Sequence, residues 1–384
     1  MTAFAIVGAT IFDGRRMIEG HAVVVEDGRI KSVVEFARLE RALPVTEVEG
    51  LLAPGLIDLQ VNGGGGVLFN DRPTVDGIRA IGAAHRRFGT TGFLPTLITD
   101  SREKMAEAVA AVSDGLTLGV PGLLGIHLEG PFINPERKGV HDAKFIRPIE
   151  AEDIRIVTSL RSGRVLVTLA PERVPSDAIG ELAAAGVVVA AGHTMASYEA
   201  LAEARRHGLT GFTHLFNAMP PLAGREPGPV GAALDLDGTW ASAIVDLHHV
   251  SPCALRVAIA AKGPDGIILV TDAMPLAGSS EESFELQGRR IVRREGRLTT
   301  TDGTLAGSDL DMASAVRNTV GHLGVGLAAA LRMASLGPAA ALRLRSELGK
   351  IAPGYRANLV LLDDGLRVLR TWIDGADGRE EEAQ

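Results

Sequence analysis

Gly122-Leu123-Leu124-Gly125-Ile126-His127-Leu128-Glu129-Gly130-Pro131 is an apolar run that ends in a histidine, a carboxylate and a turn. The same grammar recurs along the chain: a short apolar stretch, polar residues at its end, then a helical stretch. The expected strands are Gly55–Val61, Gly92–Ile98, Gly122–Leu128, Val165–Leu169, Val187–Ala191, Gly211–Leu215, Ala241–Leu247 and Ile267–Thr271. Thr74–Phe88, Arg102–Leu118, Ser176–Ala185, Ser197–Arg206 and Pro252–Ala261 read as helices between them. Strands alternating with helices predict a parallel α/β fold. Eight such units predict a (β/α)8 TIM-type barrel, whose active site is built at the C-terminal ends of its strands. A doubly wound sheet is the weaker reading, because no G-x-G-x-x-G follows the first strand and no G-x-x-x-x-G-K-[ST] occurs. The Gly63–Gly66 run reads as a rim loop, since no Lys-Ser or Lys-Thr follows it to make a phosphate cradle.

Outward from the barrel, Phe4–Phe12, His21–Val25, Asn358–Leu362 and Leu366–Ile373 read as short strands separated by turn signals such as Asp27-Gly28 and Asp364-Gly365. Neither end can bury a core alone. Residues 1–50 and 349–384 are therefore expected to form one small β-sandwich-like domain, with 51–348 as the barrel. Ser283–Thr301 reads as a β-hairpin insertion, and Ser308–Arg345 returns to helix.

Among 384 residues, 39 Lys and Arg stand against 47 Asp and Glu, a net charge of −8 that argues against a nucleic-acid partner. A small anion held by a local Arg or His is compatible with that balance, because net charge mainly sets solubility and steering. No apolar run approaches the ~18 residues of a membrane span, and the N-terminus lacks the basic start and apolar stretch of a signal peptide. A cytoplasmic protein without a membrane partner is expected. Cys253 is the single cysteine, which excludes an internal disulfide and a zinc knuckle; it reads as a packing residue.

Polar residues gather where a barrel would use them. Gln60 and Asn62 end the first strand, His127 and Glu129 the third, and His193 the fifth. His214 and Asn217 stand at the end of the sixth, Asp246, His248 and His249 at the end of the seventh, and Asp272 at the end of the eighth. Burying imidazoles and carboxylates is costly unless they pair or hold a metal. Glu129, His193 and His214 are the candidate ligands, a set that leaves one coordination position for water. A divalent metal there would lower the pKa of that water and polarise a carbonyl. Asp272 is placed to take a proton from the water and deliver it to a leaving amine. His127 lies one pleat deeper on the same face and reads as a supporting residue.

The segments His127-Leu128-Glu129-Gly130-Pro131-Phe132, Ala191-Gly192-His193-Thr194, Thr213-His214-Leu215-Phe216-Asn217-Ala218-Met219 and Leu269-Val270-Thr271-Asp272-Ala273 together resemble the N-acetylglucosamine-6-phosphate deacetylase family of the amidohydrolase superfamily. Gly224-Arg225-Glu226-Pro227-Gly228 and Gly303-Thr304-Leu305-Ala306-Gly307-Ser308 fit as well, and the resemblance runs from Pro54 to Leu359. It implies hydrolysis of the acetamide of an N-acetylated amino-sugar 6-phosphate to acetate and free amine. Glu129, His193 and His214 become the metal ligands, Asp272 the general base and acid, and His141 the donor to the carbonyl oxygen. Substrate contacts carry over to Val140, His141, Asn217, Ala218, Arg225, His249, Leu305, Ala306 and Gly307, with Arg225 and His249 on the phosphate.

The resemblance also implies a homodimer whose neighbouring subunit stands near the phosphate pocket. Many amidohydrolases carry His-x-His where this chain has Gln60 and Asn62. Neutral amides are weaker ligands, so one divalent metal ion per subunit is expected: zinc first, with ferrous iron also suited to the donors. The neighbouring readings are the deacetylase for the galactosamine isomer and, further off, another amide hydrolase.

Overall fold

In the computed structural model, which describes residues 3–378, eight strands pair in parallel and in chain order. They are Leu56–Val61, Thr90–Ile98, Gly125–Glu129, Arg164–Leu169, Val188–Ala191, Leu209–Phe212, Trp240–Ile244 and Ile267–Val270. The eighth returns to the first: Val61 bridges Ala273, the Asp272 N–H donates to the Gln60 carbonyl (3.0 Å) and the Asn62 N–H to that of Ala273 (2.9 Å). The expected TIM-type barrel is therefore the observed architecture. Its strands are buried on both faces, as near-continuous apolar runs require; every residue of Thr90–Ile98 is buried.

Helices form the outer layer and begin at side-chain caps. Thr74, Ser101, Ser197 and Ser251 each accept a backbone N–H three residues on, an interaction typically worth about 1 kcal/mol. Val75–Arg86 turns Ile78, Ile81 and His85 inward, the one-sided burial of a surface helix. Cys253, expected to pack, is exposed near the start of the helix Pro252–Lys262.

Two further sheets unite the chain ends. One orders Arg29–Glu35, His21–Glu26, Ala3–Val7 and Val45–Glu47; the other orders Ala376–Asp377, Val368–Ile373, Leu359–Leu362, Leu51–Pro54, Thr10–Phe12 and Met17–Ile18. Ile6, Val23 and Val25 of the first sheet share an apolar cluster with Ile11, Leu52, Leu359 and Trp372 of the second. Leu51–Pro54, placed by the sequence in the barrel segment, pairs instead with Thr10–Phe12 and Leu359–Leu362. The chain enters the barrel at Leu56. The far end of the 349–384 segment, residues 379–384, lies outside the described residues, as do 1 and 2. The insertion after the eighth strand is larger than a hairpin: Ser283–Leu286, Arg289–Arg294, Arg297–Thr300 and Leu305–Ser308 make a four-stranded sheet.

The seam between the first and eighth strands contains a fully buried carboxylate. Asp58 accepts from the Thr271 hydroxyl (2.5 Å), the Thr271 N–H (3.2 Å) and the Gln60 N–H (3.2 Å). Burial pushes its carboxyl up to about 7, against the pull of those hydrogen bonds. Because the folded pKa lies above the unfolded one, the folded chain keeps this proton longer. The cost of burying Asp58 is then absent below about pH 4 and grows as pH rises towards about 7. Asp58→Asn should lack this cost, so its melting temperature should rise relative to wild type between about pH 5 and about pH 8. Thermal unfolding across that range checks it; parallel pH curves would count against an ionising Asp58.

Candidate metal centre and its surroundings

At the mouth of the barrel three buried side chains meet. Glu129 Oε1 lies 3.0 Å from His193 Nε2 and 2.9 Å from His214 Nε2, and the two imidazole nitrogens are 3.0 Å apart. They come from the ends of the third, fifth and sixth strands and can hold a metal ion. His193 Nδ1 faces the Arg137 carbonyl at 2.7 Å, and a carbonyl only accepts, so Nδ1 carries the proton and neutral Nε2 is bare. With the carboxylate ionised, no placement of protons satisfies all three contacts at once. A cation shared by the three atoms does, and the carbonyl behind His193 is the support a ligating imidazole takes. Burial pushes the Glu129 carboxyl up, but the imidazoles of His193 and His214 against it outweigh that and hold it well below the ordinary carboxylate range.

The backbone at this mouth is held in the left-handed region, where side chains with a Cβ are disfavoured by roughly 1–2 kcal/mol. His193 has φ 49°, His214 φ 35° and Asp272 φ 54°. Neighbouring strands and loops impose each turn. The Asn134 N–H donates to the His193 carbonyl (2.9 Å), the Ser242 hydroxyl accepts from the His214 N–H (2.7 Å), and Asp272 is bonded on one side to Gln60 and on the other to Ser308. The sixth and seventh strands end earlier than their apolar runs suggest, at Phe212 and Ile244, so His214 and Asp246 stand in the loops beyond.

Asp272 is tied to the first strand. Its Oδ1 accepts from Asn62 Nδ2 (2.6 Å) and Gln60 Nε2 (3.1 Å), and Gln60 Nε2 also lies 3.1 Å from Glu129 Oε2. Burial, and then the charge of Glu129, pushes the Asp272 carboxyl up to about 6; His214 and His249 oppose the rise. The side-chain amide oxygens, Gln60 Oε1 and Asn62 Oδ1, are buried without a hydrogen-bond partner among the described residues.

His141 is buried and its ring stacks obliquely 4.4 Å from that of His193. The Thr99 N–H, which can only donate, points at His141 Nδ1 (3.3 Å), with the Thr99 hydroxyl 2.7 Å away. Nδ1 therefore accepts, and the proton of the neutral ring sits on Nε2, making it a donor. Burial, then His193 alongside, holds this imidazole well below its usual range, in the neutral state. His127 is bonded to Thr96 (3.2 Å) and Thr168 (2.8 Å), and burial pushes it down to about 4; it sits beneath the cluster as a neutral strut.

The remaining predicted positions lie around the rim. Val140 and Ala306 are buried in one apolar cluster with Ile98, Met274 and Leu298, which joins the insertion sheet to the barrel. Leu305 is half-buried beside them. Asn217 Nδ2 donates to the His214 carbonyl (3.2 Å), and Ala218 has φ 52°. His249 is held by Asp246, Nδ1 to Oδ2 at 2.6 Å, while His248 accepts from Arg297 Nε of the insertion sheet (3.2 Å). Arg225 is exposed; the adjacent Glu226 secures its loop by accepting from the N–H groups of Tyr198 and Gly228, both at 2.9 Å. Sequence reading passed over Thr99 and the bond from Asp246 to His249. The Asp246-x-x-His249 spacing was the available signal for the second.

The chain matches the amidohydrolase family over residues 51–378 and the NagA composite domain over residues 3–52. It is 41% identical over 371 residues to an N-acetylgalactosamine-6-phosphate deacetylase of Shewanella sp. (strain ANA-3), covering 96% of this chain and 94% of that one. Against the N-acetylglucosamine-6-phosphate deacetylase of Haemophilus influenzae it is 34% identical over 376 residues, 97% of this chain and 98% of that one. Among solved structures, N-acetylglucosamine-6-phosphate deacetylase from Pasteurella multocida superposes with a TM-score of 0.93 at 34% identity, covering 97% and 98%. A mutant of the Mycobacterium smegmatis enzyme in complex with N-acetyl-D-glucosamine-6-phosphate gives 0.91 at 32%, covering 98% and 100%.

Gly307 marks how tightly the rim is built. Its φ is 62°, and a Cβ there would lie 2.6 Å from the Met274 side chain and 2.9 Å from the Asp272 carbonyl oxygen. Gly307→Ala should cost about 2–5 kcal/mol, the sum of left-handed strain and overpacking. Urea unfolding measures it; a change under about 0.5 kcal/mol, the usual size of a surface substitution, would contradict the packing described.

Proposed function

This chain belongs to the amidohydrolase family, and we propose that it hydrolyses N-acetyl-D-glucosamine 6-phosphate to D-glucosamine 6-phosphate and acetate. One observation carries the reading: Glu129, His193 and His214 converge on a point beside an Asp272 held by two neutral amides, in a chain similar over nearly its whole length to named deacetylases. One divalent ion per subunit, with zinc the metal we assign, is held by Glu129, His193 and His214. When bound it supplies Lewis acidity, polarising the amide carbonyl and making water a better nucleophile.

The chain's own residues do the rest. Asp272 receives the proton of the attacking water and passes it to the nitrogen as the C–N bond breaks, so that the amine leaves neutral. Gln60 and Asn62 fix Asp272 Oδ1 through their N–H groups and leave Oδ2 for that proton. His141 Nε2–H donates to the carbonyl oxygen as negative charge gathers there. Val140, Leu305, Ala306 and Gly307 pack against the acetyl group, Asn217 and Ala218 hold the sugar, and Arg225 with His249 binds the phosphate. The exposed Arg225 loop fits a homodimer in which the neighbouring subunit closes the phosphate end. A phosphorylated sugar substrate fits a cytoplasmic enzyme.

The second reading is the galactosamine isomer, favoured by the 41% identity to the Shewanella enzyme named for it. Acetate release from both 6-phosphates and their unphosphorylated sugars, with metal analysis of the same sample, decides among these. Equal rates with and without phosphate would remove the roles of Arg225 and His249, and two full metal equivalents would overturn the single-ion assignment. Asp272→Asn should keep its metal and lose roughly 10²–10⁴-fold in kcat. Survival of near wild-type turnover would show that the proton moves through another group.

A further inference from the structure

Glu172 lies in the turn Pro171–Arg173 just past the fourth barrel strand, and none of the roles above uses it. Its side chain nevertheless has three partners. Oε1 accepts from the Met195 N–H (2.7 Å) and from Asn134 Nδ2 (2.9 Å), and Oε2 accepts from the Thr194 hydroxyl (2.5 Å). Bonds to an ionised carboxylate are roughly twice as strong as neutral ones.

Both branches lead to His193. Thr194 and Met195 follow it directly in the chain, so one branch clamps the backbone that leaves its left-handed turn. The other runs through Asn134, whose N–H donates to the His193 carbonyl and whose Oδ1 caps the turn Pro135–Arg137. That turn presents the Arg137 carbonyl that accepts from the His193 Nδ1–H. A single carboxylate thus governs the backbone of the residue and the carbonyl that aims its ring.

We infer that Glu172 is a positioning residue for the metal centre, keeping His193 Nε2 on the point it shares with Glu129 and His214. The inference rests on the metal reading above and adds a residue to it. Without the clamp, His193 must give up favourable binding energy to enter its strained turn each time a cation is bound. Removal of such supporting partners typically weakens metal affinity 10–100-fold.

The test is Zn2+ affinity by competition with a chelator, together with the visible spectrum of Co2+-loaded protein and the melting temperature of the metal-free form. Glu172→Ala should bind Zn2+ roughly 10–100-fold more weakly and show an altered Co2+ spectrum, with metal-free melting little changed. Glu172→Gln keeps an acceptor for Met195 and Asn134 and should recover most of the affinity. Should Glu172→Ala not fold, Asn134→Ala cuts only the branch to the turn and should still weaken binding about tenfold. Zn2+ affinity within twofold of wild type in the folded variants, with an unchanged Co2+ spectrum, overturns the inference alone. A wild-type protein that binds no Zn2+, or a Glu129→Gln variant that binds it as tightly as wild type, overturns the metal reading and this inference with it.

Discussion

Closure of the barrel between its first and eighth strands is the constraint from which the site follows. Elsewhere neighbouring strands run as parallel backbone ladders, but at this seam the joint is made by a few bonds around Gln60, Asn62, Thr271 and Ala273. Asp58 locks it from beneath through Thr271 and Gln60. The same few residues deliver Asp272 to the amides of Gln60 and Asn62, and Gln60 onward to Glu129. A slip of one residue at the seam would turn Gln60 and Asn62 to the other face and separate Asp272 from the amides that hold it.

Electrostatics acts at the three strand ends whose side chains meet, two of them, at His193 and His214, in strained turns. Two imidazoles and a carboxylate brought together in a buried mouth set lone pair against lone pair, and neither burial nor protonation settles every contact. The strain at His193 and His214 persists because surrounding groups over-determine each turn. The carboxylate of Glu129 is the reverse of Asp58: burial acts on both, but only Glu129 has imidazoles beside it to stay ionised.

Much of this was legible in the sequence because it is local. A strand needs only its own apolar run, a helix its own cap, and a strand-end histidine announces itself by its place. Glu129, His193 and His214 were therefore found together, and so was Asp272. What escaped depended on partners far along the chain. Asp58 meets Thr271 across 213 residues, and Gln60 meets Asp272 across 212. Thr99 and Glu172 carry no local mark of the histidines they serve. Leu51–Pro54 reads like any apolar strand, and only its partners at residues 10–12 and 359–362 place it outside the barrel. His85, inside the expected helix Thr74–Phe88, is buried and donates to the Gly63 carbonyl at 2.9 Å, fastening the rim loop across 22 residues.

The two ends of the mouth are built to different standards of rigidity. The side proposed to take the acyl group is braced from behind, with the Leu305–Ser308 strand bonded to the backbone of Asp272 and Met274. The side proposed for the sugar phosphate hangs on an exposed loop secured through Glu226. That loop makes none of the bonds that hold Asp272, whereas a shift of Leu305–Ser308 is transmitted directly to the Asp272 backbone. On the proposed function, selectivity between epimeric sugars is thus free to drift while the bond broken stays the same, which suits a scaffold shared by relatives named for both.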